Sequence, residues 1–193
     1  MGTVVACSTP FGSSAIAVVR VSGKDALNYI GKMSSSMPTT PNKTQLNKLI
    51  SQDGKTIDQT LTTYYKAPKS FTGEDMVEIS LHGGNAVINK FIEVFKKNKR
   101  ARLADPGEFT RRSFENNKLD LTQVEAISDL VSAETEIQRK QACSQLEGTL
   151  TTKTKKRHKQ LWRFGANVKH LDKLIKKITT PPFSDKPEIT IIK

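Results

Sequence analysis

Four polar side chains sit where secondary structure would hold them still: Arg20, Glu78, His82 and Lys118. Glu78 lies in "MVEISLH", residues 76–82, whose alternation puts Val77, Ile79 and Leu81 on one face and Met76, Glu78 and Ser80 on the other. The first set reads as core, so Glu78 faces either water or a site. Arg20 ends an apolar run, where its planar fork can pair with a carboxylate, cap a strand in water or hold an anionic ligand. Lys118 stands alone in "ENNKLDL", and a solvated loop lysine is its plainest reading. His82 can serve as a base, although a hydrogen-bonded structural role is simpler. The two glycines after it allow close backbone approach, and a helix starting near Asn85 offers free N–H groups. An ordinary strand-to-helix turn accounts for these features equally well.

The elements that must position these residues follow from punctuation and period. Residues 3–7 and 15–22 are predicted strands separated by Pro10 and Gly12. A helix is expected over roughly 25–33, with Ser22 as its N-cap. "LNKLI" and "TIDQTLTTYY" flank Asp53-Gly54 as the two arms of a hairpin, and "KAPKSFTGED" is a loop before the Glu78 strand. Val87, Ile88, Phe91, Val94 and Phe95 recur at helical spacing and predict a helix over 86–98. "RARLADPGEF" is extended and then turns, a short helix is expected over 108–114, and Asn116-Asn117 makes a turn. Thr122 to Glu125 matches a capping box, which starts a longer helix with Leu121, Val124, Ile127, Val131 and Ile137 as its apolar stripe. That helix is expected to continue, with a break near Gly148, into the basic stretch 151–179.

The fold class expected is α+β: a mixed sheet-and-helix domain over 1–118, a partial helical domain over 119–179 and a proline-containing tail over 180–193. The 193 residues carry 31 Lys and Arg against 19 Asp and Glu, a net charge of +12, which favours anionic partners. Ten Lys or Arg fall between 151 and 179 against one Asp, and Lys153, Lys155, Lys156, Arg157 and Lys159 are the candidate nucleic-acid contacts. Two distant cysteines, Cys7 and Cys143, give neither a disulfide framework nor a metal spacing. No secretory pattern and no membrane-length apolar run is present, so a cytoplasmic protein is expected, with no membrane partner.

Taken together, "TPFGSSAIAVVRVSG", "SFTGEDMVEISLHGG" and "ADPGEFTRRSFENNKLDLTQVEAISDLVSAET" resemble, in order and spacing over about residues 3–150, the start of the tRNA modification GTPase family called MnmE or TrmE. The resemblance implies an N-terminal domain similar to the aminomethyltransferase of glycine cleavage. It implies that this domain binds 5-formyl- or 5,10-methylene-tetrahydrofolate and forms a homodimer. The family works with a flavoprotein, MnmG or GidA, to modify carbon 5 of the wobble uridine in certain tRNAs, the folate supplying a one-carbon unit. Its folate contacts fall on Arg20 of the R-[IV]-S-G motif, Glu78 of T-G-E-D-x-x-E and Lys118 of N-x-K-L-D-L. No residue is assigned a catalytic role or a metal.

The sequence also departs from that family. No G-x-x-x-x-G-K-[ST] phosphate loop occurs, so the expectation is a chain with no GTP or potassium site that does not hydrolyse GTP alone. Phe11 stands where the first motif usually has a second proline, and "NVKHLDKLIKK" replaces an acidic segment. Two alternatives follow: a basic tRNA-binding or interaction module with a vestigial folate site, and a folate-dependent transferase acting independently.

Overall fold

The structure, a computed structural model, describes residues 2–10, 12–38 and 40–148. Six strands form one sheet: β1 (Thr3–Cys7), β2 (Ser14–Ser22), β3 (Thr44–Ile50), β4 (Thr56–Tyr65), β5 (Met76–Gly83) and β6 (Ala101–Leu103), in the order β3-β4-β5-β2-β1-β6. All neighbours are antiparallel except β1 and β6, which run parallel. Five helices lie among the described residues: α1 (Ala26–Gly31), α2 (Asn85–Lys96), α3 (Glu108–Glu115), α4 (Leu121–Val131) and α5 (Glu136–Leu146). The α+β class read from the sequence is therefore the observed one. The chain divides into two compact units between Glu125 and Ala126. The predicted basic helix, its candidate contacts Lys153, Lys155, Lys156, Arg157 and Lys159, and the tail 180–193 lie outside the described residues.

Alternation along the strands decides which face becomes core. Val5, Val19, Val21, Val77, Ile79 and Leu81 are buried on one side, against Tyr29 and Ile30 of α1 and Phe91, Val94 and Phe95 of α2. The rings of Phe91 and Phe95 stack with centroids 6.2 Å apart. Because side chains alternate with period two, Val18, Arg20, Glu78 and Ser80 must lie on the opposite face.

A buried ion network fastens α3 to this sheet. Glu108 takes a two-pronged contact from Arg102 of β6, at 2.8 and 2.7 Å, and accepts from the Asp105 amide at 2.9 Å. Arg112, 1% exposed, binds the same carboxylate at 2.8 Å, Glu74 at 2.7 Å and the Gly2 carbonyl at 2.9 Å. Glu74 in turn accepts from the Ser22 hydroxyl at 2.8 Å, and Ser22 also bonds Thr72 at 2.7 Å. Burial pushes the Glu108 carboxyl up, but Arg102, the Asp105 amide and Arg112 together outweigh it and bring the pKa down from 4.5 to about 2.

Three sequence expectations are corrected. Ser22 does not cap α1; its hydroxyl is drawn to Glu74 and Thr72, and α1 begins at Ala26 after Asp25 with no side-chain cap. Thr122 does not open the next helix. Asp120 accepts from the Gln123 amide at 3.0 Å while the Gln123 side chain accepts from the Asp120 amide at 2.9 Å, so the reciprocal box sits two residues earlier. The long helix stops at Val131 and restarts at Glu136, where Thr135 and Gln138 form a second capping box. Val131 and Ile137, predicted in one stripe, are 85% and 79% exposed.

The two glycines that end β5 differ in role. A Cβ on Gly83 would lie 2.4 Å from the Ser14 carbonyl oxygen, so the close approach there is to the neighbouring strand β2. A Cβ on Gly84 would meet only Val87 Cγ2, at 3.9 Å, and its extended backbone suits a serine N-cap for α2.

Two outcomes follow. Glu108→Gln removes one of the two carboxylates that face buried Arg112, leaving Glu74 alone to balance it and Arg102, and should cost about 3 kcal/mol in urea unfolding. Since the folded pKa is depressed, the wild-type contribution is present above pH 4.5 and fades as pH falls from 4.5 towards 2, and the wild-type minus Glu108→Gln difference should shrink across that window. Separately, Gly83→Ser should lower stability by about 1–3 kcal/mol, whereas Gly84→Ser should be neutral or stabilising by a few tenths. Paired denaturation curves separate the two glycines.

Candidate functional site

On the sheet face opposite α1 and α2, Arg20 and Glu78 are direct cross-strand partners between β2 and β5. Arg20 Nε donates to Glu78 Oε2 at 2.8 Å, and the two side chains are 36% and 27% exposed. Thr63 of β4 stands opposite Glu78 and Ala6 of β1 opposite Arg20, so small side chains flank the pair in its row. Among the described residues, Glu78 Oε1 and the two terminal nitrogens of Arg20 take no protein partner. Those groups remain available for a ligand that offers N–H donors to the carboxylate and an oxygen acceptor to the guanidinium.

The solvation of this pair bears on its role. A half-exposed ion pair contributes about 0–1 kcal/mol, because water and side-chain entropy offset most of the attraction. The Glu108–Arg112 pair, by contrast, cannot lose one member cheaply. On these magnitudes the first pair contributes less to the fold than the second.

Tyr65, at the end of β4, joins the site. Burial raises its phenol pKa first, the Glu78 charge raises it further and Arg20 works against both, which sets the ring in the field of the pair. Sequence reading counted Tyr65 only as strand; its signal was alternation, which gives Thr63 and Tyr65 the same face as Leu61. His82 is hydrogen-bonded, as the simpler reading had it: Asp58 accepts from its backbone amide at 2.8 Å and meets its Nδ1 at 2.7 Å. Its imidazole is 73% exposed, and Asp58 was not foreseen as its partner.

Lys118 reaches the neighbourhood by a different route. The turn after α3 has Asn117 at φ 55°, and the Lys118 amide donates to the Ser113 carbonyl at 2.8 Å. Its ammonium donates to the Pro68 carbonyl at 2.9 Å, in the loop that joins β4 to β5. The structure therefore pairs Arg20 with Glu78 directly, and sets Lys118 on the loop leading into the Glu78 strand. Lys118 makes no hydrogen bond or ion pair with either of the other two.

The T-G-E-D motif before β5 is what shapes that loop. The Thr72 hydroxyl bonds Ser22, and its carbonyl accepts from Asn116 at 2.7 Å. Gly73, at φ 78°, leaves room for Asn116 and the Lys118 stem, whose atoms would crowd a Cβ at 3.1 and 3.2 Å. Glu74 holds Arg112, and Asp75 accepts from the Tyr64 hydroxyl at 3.1 Å and the Ala67 amide at 2.9 Å. Sequence reading did not assign Glu74, Glu108 or Arg112 a task; the i, i+4 spacing of Glu108 and Arg112 was the available signal. No group of three or more metal-ligating side chains occurs among the described residues, and none of their helices is long and apolar enough to cross a membrane.

The family described as "GTP-binding protein TrmE N-terminus" matches residues 3–118. A protein of Aquifex aeolicus named tRNA modification GTPase MnmE is 47% identical over 149 residues, which are 77% of this chain and 33% of that protein. Proteins of the same name from Roseobacter denitrificans and Lactobacillus acidophilus are 44% and 42% identical, over 84% and 86% of this chain and 37% of each relative. The chain thus spans about a third of the length of these curated relatives. The match covers the whole sheet, α3 and the turn that carries Lys118, and on it the chain belongs to the TrmE N-terminus family.

Proposed function

We propose that this chain binds a tetrahydrofolate derivative on the sheet face opposite α1 and α2 and acts in tRNA modification. The observation that carries the reading is the partly exposed Arg20–Glu78 pair, whose expected contribution to stability is about 0–1 kcal/mol and whose outer hydrogen-bonding groups are unspent. The aminopyrimidinone edge of a pterin presents adjacent N–H donors, and the Glu78 carboxylate suits them as a charge-assisted acceptor. Arg20 and Lys118 suit the carbonyl and the glutamate carboxylates of such a ligand. Tyr65 lends the site an aromatic wall. When bound, the folate supplies a one-carbon unit for carbon 5 of a wobble uridine. The residues of this chain bind and orient it, and none is assigned the transfer itself.

The names of the relatives support the tRNA assignment; the proposal leaves GTP hydrolysis out of the task of these residues, since no G-x-x-x-x-G-K-[ST] loop occurs in the sequence. The working partners proposed are tRNA, a flavoprotein of the MnmG or GidA type and a second copy of this chain, in the cytoplasm. Cross-strand partners Leu46 and Leu61, 60% and 49% exposed on the same face as Glu78, support the second copy.

Calorimetric titration of the purified chain with 5-formyltetrahydrofolate tests the reading, with molecular mass measured in parallel. Wild type should bind, and Glu78→Ala and Arg20→Ala should each weaken binding at least tenfold while changing stability by less than about 1 kcal/mol. Equal binding by wild type and both variants would remove the assignment. Salt-dependent tRNA binding without folate binding would favour a basic RNA-binding module instead.

A further inference from the structure

The loop that follows Tyr65 carries positive charge which the folded chain does not neutralise. Lys66, Lys69 and Lys118 are exposed, and none forms an ion pair with a carboxylate among the described residues. Two of them belong to one turn, and the third is bonded to it. The Lys69 amide donates to the Lys66 carbonyl at 2.9 Å, closing residues 66–69, and the Lys118 ammonium donates to the carbonyl of Pro68 between them. Asp75 braces the turn through the Ala67 amide, and Gly73 admits the Lys118 stem. The carboxylates near Lys118 are spent elsewhere: Glu115 faces Arg111 at 3.8 Å and Asp120 caps α4. A fixed turn with three ammonium groups thus begins one residue beyond the tyrosine that senses Arg20 and Glu78.

We propose that Lys66, Lys69 and Lys118 form a cationic rim that takes the γ-linked glutamate tail of a polyglutamylated folate. This rests on the folate reading above and deepens it, naming the form of ligand selected. Three charges at one turn suit a short chain of carboxylates. A protein that makes about 6–10 phosphate contacts with a nucleic acid uses more cations than this turn offers.

The test is calorimetry of the full chain with 5-formyltetrahydrofolate carrying one glutamate and with the same folate carrying five, at low and at raised salt. Wild type should bind the five-glutamate form about tenfold more tightly, each added contact at an exposed site being modest. Raised salt should erode that preference. Lys66→Gln/Lys69→Gln should abolish it while leaving the affinity for the one-glutamate form unchanged. Equal affinity of wild type for the two forms, or a preference that survives in the double variant, overturns the rim while the folate site stands. Binding of neither form overturns the folate reading and the rim with it. A double variant that loses tRNA affinity and keeps the glutamate preference assigns these lysines to RNA and overturns the proposal.

Discussion

The carboxylate of Glu108 is the point on which the first unit hangs. It neutralises Arg112 in the interior, and Arg112 ties together segments far apart in sequence: the chain's second residue, the loop before β5 and helix α3. Arg102 draws β6 into the same knot. Buried ions of this kind gain little over a well-packed apolar cluster, and their loss is severe only when one partner is left behind. Their value here is positional. They fix the angle at which α3 leaves the sheet, and that angle sets where Asn116, Asn117 and Lys118 fall on the β4–β5 loop.

A second ion pair, Arg20 with Glu78, has the opposite character. Its members are partly exposed on the sheet face opposite α1 and α2, so they contribute less to folding and can exchange partners. Both pairs obey the same electrostatics; the difference lies in how much water each retains. Core and candidate site share strands β2 and β5, and the two-residue period keeps them apart. Val19 and Val21 go inward on either side of Arg20, and Val77 and Ile79 go inward on either side of Glu78. Slipping β2 against β5 by one residue would bring a carboxylate or a guanidinium into an apolar layer, so the hydrophobic pattern itself guards the register of the pair.

Much of this was readable in the chain. The strands, the Asp53-Gly54 hairpin and α2 follow from period and punctuation, and the outward placing of Glu78 follows from alternation alone. The meeting of Arg20 with Glu78 was not readable from pattern, because pairing partners 58 residues apart are settled by sheet order. Local pattern also misled at the caps. Ser22 and Thr122 have the right residue types, but Glu74 competes for the first and Asp120 makes a better acceptor than the second. The buried network was hidden for a related reason: Glu74, Glu108 and Arg112 look like ordinary surface charges until a tertiary fold closes around them.

The parallel pairing of β1 with β6 has a consequence for biosynthesis. The first strand made has two neighbours, and they become available at very different times. β2 emerges almost at once, whereas β6 and the guanidinium that grips the Gly2 carbonyl come about a hundred residues later. At roughly 5–20 residues per second, the nascent sheet spends on the order of ten seconds with one edge open on the ribosome. Over that interval the exposed edge of β1 is a place where a chaperone, or another nascent chain, competes with the protein's own sixth strand.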